Sequence, residues 1–259
     1  MSEQQTSNDD RFSGLRELVY TDYGPNPEDA PQDATFNLEA ARGRLRRKWL
    51  AEVLIVLLGL PVWFPVVAAC AVLLLVTNGR PVFYRSTRRV YRSECTTILK
   101  FRTMVPNAAE LYNRSTVPVE SQRFLNIPLD SPAYTPVGRL VERCNFTELP
   151  QLLQVFTGRM SLVGNRPLPE DVITVLKESF PGVEARFWAR SGVIGAAQLV
   201  GREELGDEER LQIEIAFARA CLRSGAVLLS VRIFVEGILI AAKLKPARDF
   251  EYVRELLTR

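Results

Sequence analysis

Apolar residues form one long uninterrupted stretch early in the chain. Residues 53–76 (VLIVLLGLPVWFPVVAACAVLLLV) contain no charged side chain, and a helix needs only ~20 such residues to span a bilayer. Pro61 and Pro65 lie inside this stretch, where each removes a helical hydrogen bond and bends the helix. The pattern therefore predicts either a single straight span or a hairpin that enters and leaves the membrane on the same side.

Positive charge at both ends of this stretch favours the hairpin. Basic residues precede it in RGRLRRK (42–48) and follow it at Arg80, Arg85, Arg88, Arg89 and Arg92. Because lysine and arginine prefer the cytoplasmic side of a membrane, positive charge on both flanks indicates that both ends of the apolar stretch lie on the cytoplasmic side. We therefore predict a re-entrant helix hairpin, with its basic flank, over residues 42–80.

Shorter periodic segments predict an α/β domain, mostly helical with a small sheet, over residues 81–245. Alternation and flanking turn residues predict extended segments at 81–85 (PVFYR) and 96–102 (TTILKFR). Apolar residues at helical spacing predict helices at Thr147–Thr157, Glu170–Ser179 and Glu203–Arg223.

A second apolar segment, Gly225–Leu244, carries charge near its centre at Arg232 and Glu236. Charged side chains at the centre of a membrane span are costly. The segment therefore predicts an interfacial or partly buried amphipathic helix in place of a second span.

Composition changes the picture at the two ends of the 259-residue chain. Residues 1–41 hold nine acidic and two basic residues and are rich in Pro, Asp and Asn, which predicts an acidic, disordered tail. Residues 246–259 are predicted to be a C-terminal tail. The net charge of the whole chain is +3, so the part after residue 41 carries about +10 and favours an anionic partner.

The absence of histidine excludes His-based triads, HExxH zinc sites and histidine general bases. The four cysteines form no CxxC pair, which predicts reduced thiols and neither a zinc finger nor a disulfide framework. The catalytic groups of this chain are therefore expected to be carboxylates, hydroxyls, Lys or Arg, with or without a bound metal ion.

The stretch NFTELPQLLQVFTGRMSLVGNRP (145–167) combines a helix with candidate chemistry. Thr147 suits an N-cap, Glu148 suits the first turn, and Gly158 suits the C-terminal cap. One interpretation is a well-capped amphipathic helix and nothing more. The other is that Glu148 holds Mg²⁺ beside a phosphate bound at the helix start.

Several cations are candidates for phosphate binding, although each also suits an ordinary solvated position. Arg166 precedes a proline and is held in an extended segment, from which its guanidinium can grip a phosphate. Lys100 and Arg102 end the extended segment 96–102, and Arg202 follows a Gly- and Ala-rich run. No GxGxxG or Walker A motif is present, and no nucleic-acid-binding module is evident.

Four motifs, in order, give the chain a resemblance to a known family. They are RPVFYR (80–85), LKFRTM (99–104), ELPQLLQVFTGRMSLVGNRPLP (148–169) and SGVIGAAQLVGR (191–202), and they follow the basic run and proline-broken hairpin. Over roughly residues 46–245 the chain resembles the bacterial sugar transferases, which are monotopic phosphoglycosyl transferases that act on polyprenyl phosphate.

The resemblance implies a Mg²⁺-dependent enzyme that transfers a sugar 1-phosphate from a UDP-sugar to undecaprenyl phosphate and releases UMP. It implies a hairpin that re-enters the bacterial inner membrane from the cytoplasmic face, where the compact domain starts polysaccharide or glycan assembly. A homodimer is a further expectation, and nucleic acid is not an expected partner. The candidate substrate-binding residues are Lys100, Arg102, Gln151, Arg143, Arg166 and Arg202.

The chain departs from the family at the implied catalytic dyad. The resemblance implies an Asp nucleophile followed by a metal-supporting Glu, and the chain has Thr147-Glu148. Glu142 stands where the family usually has Arg, and Glu52 and Glu214 stand where it usually has Asp. Three hypotheses follow: an active transferase that uses Glu148 with direct attack by the lipid phosphate or attack by Thr147, a non-catalytic scaffold or regulator, and a membrane-anchored protein of unrelated role.

Overall fold

A computed structural model describes residues 38–112, 127–200 and 205–258. These residues are mostly helical with little sheet, which confirms the coarse prediction. The helices are α1 (Leu38–Leu58), α2 (Leu60–Asn78), α3 (Ala108–Leu111), α4 (Pro136–Arg143), α5 (Leu152–Phe156), α6 (Glu170–Ser179), α7 (Asp207–Leu222), α8 (Ala226–Ala241) and α9 (Phe250–Thr258). The strands are β1 (Phe83–Tyr91), β2 (Glu94–Phe101), β3 (Ser161–Val163) and β4 (Gly192–Ile194).

The strands form two separate pairs that carry candidate site residues. Strands β1 and β2 are antiparallel, with Tyr84 opposite Lys100. Strands β3 and β4 are parallel, and their backbones meet closely at two glycines. A Cβ atom on Gly164 would lie 2.4 Å from the carbonyl oxygen of Arg190, and one on Gly192 would lie 2.3 Å from the Gly164 nitrogen. Only glycine allows this approach, which sets the path of the chain into the loop after β3.

Helices α1 and α2 are separated by a single residue, Gly59, followed closely by Pro61. Pro61 lies in the first turn of α2, and α2 continues through Pro65. At the interruption the indole of Trp63 donates a hydrogen bond to the Val56 carbonyl at 2.9 Å, which a continuous helix would pair with a backbone amide. The helical segment is thus interrupted next to Pro61 and not at Pro65.

Helices α1 and α2 both contact the same folded body. Midway along α1, Lys48 Nζ donates hydrogen bonds to the Ser161 hydroxyl and the Val163 carbonyl. At the end of α2, the Asn78 side chain donates to the Thr135 hydroxyl at 2.9 Å. The chain is therefore held by the domain on both sides of the Gly59 junction. Between these two points the helices also carry exposed apolar side chains: Leu54, Leu57, Leu58, Val62, Phe64, Val72 and Val76.

Among the residues that the structure describes, α2 is the one helix whose length and composition suit a membrane span. One face of α2 is covered by the domain through Trp63, Val67, Cys70 and Leu74, which recur at helical spacing. The apolar surface of α2 is thus shared between the domain and its surroundings.

The C-terminal half supplies most of the core. Helix α7 buries nine of its residues, among them Phe217, which is completely buried. Helix α9 lies within the segment set apart as a C-terminal tail and buries Val253 and Leu257. In α8 the carboxylate of Glu236 forms ion pairs with Arg232 and Arg248. The two charged residues of this segment, Arg232 and Glu236, therefore belong to a local polar cluster.

Candidate active site

The carboxylate of Glu148 lies between two cationic side chains from distant parts of the chain. Its Oε1 accepts a hydrogen bond from Lys100 Nζ at 2.7 Å and pairs with Arg166 Nη2 at 3.1 Å. Lys100 lies near the end of β2, Glu148 precedes a 3₁₀ turn at Leu149–Gln151, and Arg166 follows β3. The side chains of Lys100 and Glu148 are 11% and 16% exposed, whereas that of Arg166 is 38% exposed. The structure therefore brings these three predicted site residues together, with Arg166 on the open side.

A third cation, Arg88 on β1, belongs to the same cluster. Its Nη1 donates a hydrogen bond to the Pro167 carbonyl at 3.1 Å, next to Arg166. Burial lowers the pKa of Arg88, and Arg166 lowers it further, while Glu148 acts in the opposite direction. The sequence predicts Arg88 as part of the basic flank of the hairpin, whereas the structure places it beside the site. The link between Arg88 and the site comes from β1, which pairs with the strand that carries Lys100.

Burial is also the main cause of a lowered pKa at Lys100, which falls to about 8. Glu148 opposes this shift, while Arg166 and Arg88 add to it. At Arg166 the nearby Glu148 carboxylate raises the pKa, so that guanidinium stays charged. Three cationic side chains thus converge beside Glu148, an arrangement that can bind an anionic ligand such as a phosphate.

A buried polar network fixes the loop that carries Arg166. The Asn165 side chain donates to the carbonyls of Arg186 and Glu214 at 2.9 and 2.7 Å. Arg186 pairs with the Glu214 carboxylate at 2.7 Å and donates to the Arg166 carbonyl at 2.9 Å. Because Asn165, Arg186 and Glu214 are at most 3% exposed, the network positions the loop without itself meeting solvent. Glu214 thus serves the site indirectly.

The predicted helix cap at Thr147 is wrong. The short helical segment begins with a 3₁₀ turn whose N-cap is Glu148, with no side-chain cap. The Thr147 hydroxyl instead donates a hydrogen bond to Glu142 Oε2 at 2.5 Å. A hydrogen bond from the hydroxyl to a carboxylate is stronger than the neutral hydrogen bond that an N-cap hydroxyl accepts from a backbone amide. The carboxylate belongs to α4, and rules that consider one helix at a time do not include a partner from another helix.

Gln151 is the last residue of this turn and is 1% exposed. Within the described part of the chain, its amide nitrogen and oxygen have no hydrogen-bond partner. A buried amide without partners costs about 1–3 kcal/mol, so this side chain is a candidate for contact with a polar ligand or an ordered water.

The structure shows no contact of Arg102 or Arg143 with the Glu148 carboxylate among the hydrogen bonds and ion pairs of the described residues. Arg102 donates to the carbonyls of Asn78, Gly79 and Pro81 and so fastens the chain that leaves α2. Arg143 is exposed in the last turn of α4. Arg202 lies outside the described residues.

A metal ion at this site would have the Glu148 carboxylate as its protein ligand. No group of three or more Cys, Asp or Glu side chains in the described ranges could enclose a metal ion. Mg²⁺ in phosphoryl-transfer sites commonly takes only one or two protein carboxylates and completes its coordination with phosphate oxygens and water. Glu148 alone can therefore supply the protein ligand, provided that a phosphate is present.

Comparison with known proteins places these features in a family. The model of the family described as "Bacterial sugar transferase" matches residues 44–243. The chain is 29% identical over 174 residues to the exopolysaccharide production protein ExoY of Sinorhizobium fredii, covering 65% of this chain and 75% of that protein. It is 31% identical over 142 residues to the undecaprenyl-phosphate galactose phosphotransferase of Salmonella typhimurium.

A third relative is the UDP-glucose:undecaprenyl-phosphate glucose-1-phosphate transferase of Escherichia coli, 28% identical over 170 residues. The match to the Salmonella protein covers 53% of this chain and 29% of that protein, and the match to the E. coli protein covers 65% and 34%. The chain thus spans about a third of the length of these two transferases. Since the family match includes the Glu148 cluster and both helices of the apolar segment, the chain belongs to the bacterial sugar transferase family.

Proposed function

We propose that the protein transfers a sugar 1-phosphate from a UDP-sugar to undecaprenyl phosphate, releasing UMP and starting the assembly of a bacterial polysaccharide or glycan. The observation that carries this proposal is the cluster of Lys100, Arg88 and Arg166 around Glu148. Both substrates carry phosphate groups, which these cationic side chains can bind. The relatives named for this reaction support the assignment of the substrates.

The cluster supplies what phosphoryl transfer requires of a protein. Catalysis of this reaction depends mostly on positioning the phosphates and stabilising their developing charge. Lys100 and Arg166 can hold the diphosphate of the donor, and Glu148 is the proposed ligand for Mg²⁺. The bound ion would neutralise charge on the donor diphosphate.

The membrane part of the proposal concerns α1 and α2. We propose that these helices form a re-entrant hairpin whose exposed apolar side chains enter the cytoplasmic leaflet of the inner membrane. The return of the chain to the domain at Asn78 supports a hairpin over a straight span. Exposed Leu228, Val235 and Ile238 on α8 fit an interfacial helix beside it.

The topology is tested by introducing a cysteine at residue 42 or at residue 88 and labelling it from either side of the membrane. Labelling of both positions from the cytoplasmic side alone would agree with the hairpin, and labelling from opposite sides would exclude it. A homodimer stays a prediction.

The activity is tested with purified protein in nanodiscs that contain undecaprenyl phosphate, with Mg²⁺ and a panel of UDP-sugars. We expect UMP release with at least one sugar, dependent on the lipid acceptor. The variant Glu142→Arg combined with Thr147→Asp restores the residue pair that the resemblance implies, and it avoids placing two carboxylates face to face. If this variant released UMP while the unmodified protein released none with any sugar, the unmodified protein would be a non-catalytic relative.

A further inference from the structure

The acid beside Thr147 is held there by a tight turn in the chain. Helix α4 ends at Arg143, and Asn145 adopts a left-handed conformation with φ of 59°. The Asn145 and Phe146 amides donate to the carbonyls of Glu142 and Val141, which closes the turn. As a result the Glu142 carboxylate lies 2.5 Å from the Thr147 hydroxyl oxygen.

Glu142 is also electrostatically part of the cluster. Its negative charge, after that of Glu148, helps to raise the pKa of Arg166. The Glu142 residue is partly exposed, whereas Thr147 is buried with 7% of its surface accessible. Of the two groups at this point, the carboxylate is therefore the more accessible to a substrate that is bound by Arg166.

The chemistry favours the carboxylate over the hydroxyl as the attacking group. A threonine hydroxyl is a weak nucleophile unless a base removes its proton, whereas a carboxylate is already anionic at neutral pH. The second half-reaction favours the carboxylate further. The lipid phosphate must then displace the enzyme group, and a carboxylate, with a conjugate-acid pKa of about 4, leaves far more readily than an alkoxide.

We propose that Glu142 is the covalent nucleophile of this protein and that Thr147 orients it; this inference rests on the proposed function. In the first step a Glu142 oxygen bonds to the sugar-bearing phosphorus while the bond from that phosphorus to the UMP oxygen breaks. UMP leaves with the electron pair, and a glutamyl phosphate ester of the sugar remains. In the second step an oxygen of undecaprenyl phosphate attacks the same phosphorus, and the Glu142 carboxylate leaves unchanged. Neither step requires the side chain to give up a proton.

The test omits the lipid acceptor and supplies a UDP-sugar labelled in the sugar. We expect a burst of UMP close to one per protein molecule and a protein-bound label that hydroxylamine releases, because acyl phosphates react with it. Peptide mass spectrometry should place the label on Glu142. A hydroxylamine-resistant label on Thr147, a label on Glu148, or full turnover with no bound label would each overturn the proposal.

Variants separate this inference from the proposed function. Glu142→Gln keeps the shape of the side chain and can still accept the Thr147 hydrogen bond, and we expect a loss of label and a fall in turnover of at least about 10³-fold. Thr147→Val should keep the label and retain turnover within about tenfold, the effect of one orienting hydrogen bond. Glu178→Gln, at an exposed position on α6, is the matched control.

If the unmodified protein released no UMP even with acceptor, the proposed function would fail. If it released UMP and Glu142→Gln did so equally well, only this inference would fail. Binding of UDP, followed by thermal shift, checks that each variant is folded.

Discussion

Two acids in this protein, one buried and one partly exposed, occupy different electrostatic surroundings. Glu52 on α1 is 2% exposed and accepts hydrogen bonds from Lys48, the Ser161 hydroxyl and the backbone amides of residues 162 and 163. Lys48 in turn uses its three donors on Glu52, Ser161 and the Val163 carbonyl. Glu148, in contrast, shares its carboxylate between Lys100 and Arg166, with Arg88 nearby.

The difference separates an anchor from a binding site. At Glu52 one positive and one negative charge are balanced and every donor of the lysine is used, so no group is left for a ligand. This pair joins α1 to β3 and so fastens the apolar helices to the domain. At Glu148 three cationic side chains converge, and Arg166 is accessible. A group of cations with an open side has a physical reason to bind an anion.

The largest expected effect is on stability, at the anchor. Glu52→Gln leaves the Lys48 ammonium buried without its counter-charge, which typically costs about 3–5 kcal/mol. We expect the melting temperature in detergent to fall by roughly 10 °C, with Glu178→Gln as the control that changes it little. An unchanged melting temperature would mean that the pair does not fasten α1.

The next effect is on activity, at the site. Lys100→Met preserves the length of the side chain and removes its charge, and we expect kcat/KM to fall by about 10²-fold because the donor phosphates lose one electrostatic partner. The melting temperature should not fall, since a buried charge is removed. Lys177→Met is the matched control, because Lys177 pairs with Glu184 at the surface, away from the cluster. Equal loss of activity in both variants would contradict the comparison.

The smallest expected effect is a pH dependence at Lys100. As the pH rises, activity should fall while the contribution of Lys100 to the free energy of unfolding should increase. The pKa of Lys100 is lowered to about 8, so its charge is lost in the folded protein as pH rises through 8, and activity should decline there. In the unfolded chain the same lysine keeps its proton to about pH 10.4. The unfolded state therefore binds more protons between these values, and the contribution of Lys100 to the free energy of unfolding increases with pH. Lys100→Arg should retain activity to higher pH; a profile that matched the unmodified protein would exclude Lys100 as its source.

Local patterns in the sequence predicted an element well where the residues next to it determine where it begins and ends. The prediction of a helix at Glu170–Ser179 is confirmed with both bounds, since Pro169 before it and Pro181-Gly182 after it limit the segment. The extended segments predicted at 81–85 and 96–102 overlap β1 and β2, although residues 81, 82 and 102 lie outside the two strands. The end of the short helix at Gly158, with φ of 69°, is likewise local chemistry.

The site was only partly predictable because its contacts are between distant residues. Lys100, Glu148 and Arg166 were predicted individually, and the fold brings them together. Arg102 directly follows β2 and looks like an ordinary solvated cation at a strand end, and nothing in that motif indicates that it binds carbonyls at the end of α2. The Thr147 cap failed for the same reason, because its partner Glu142 belongs to a different helix.

The most direct test of the account compares UMP release by the unmodified protein and by Glu148→Gln, with undecaprenyl phosphate and the active UDP-sugar present. We predict sustained release by the unmodified protein and a loss of about 10²–10³-fold in the variant, at a melting temperature that changes by no more than a few degrees. Equal release by both proteins would contradict the claim that the charge cluster around Glu148 is the active site.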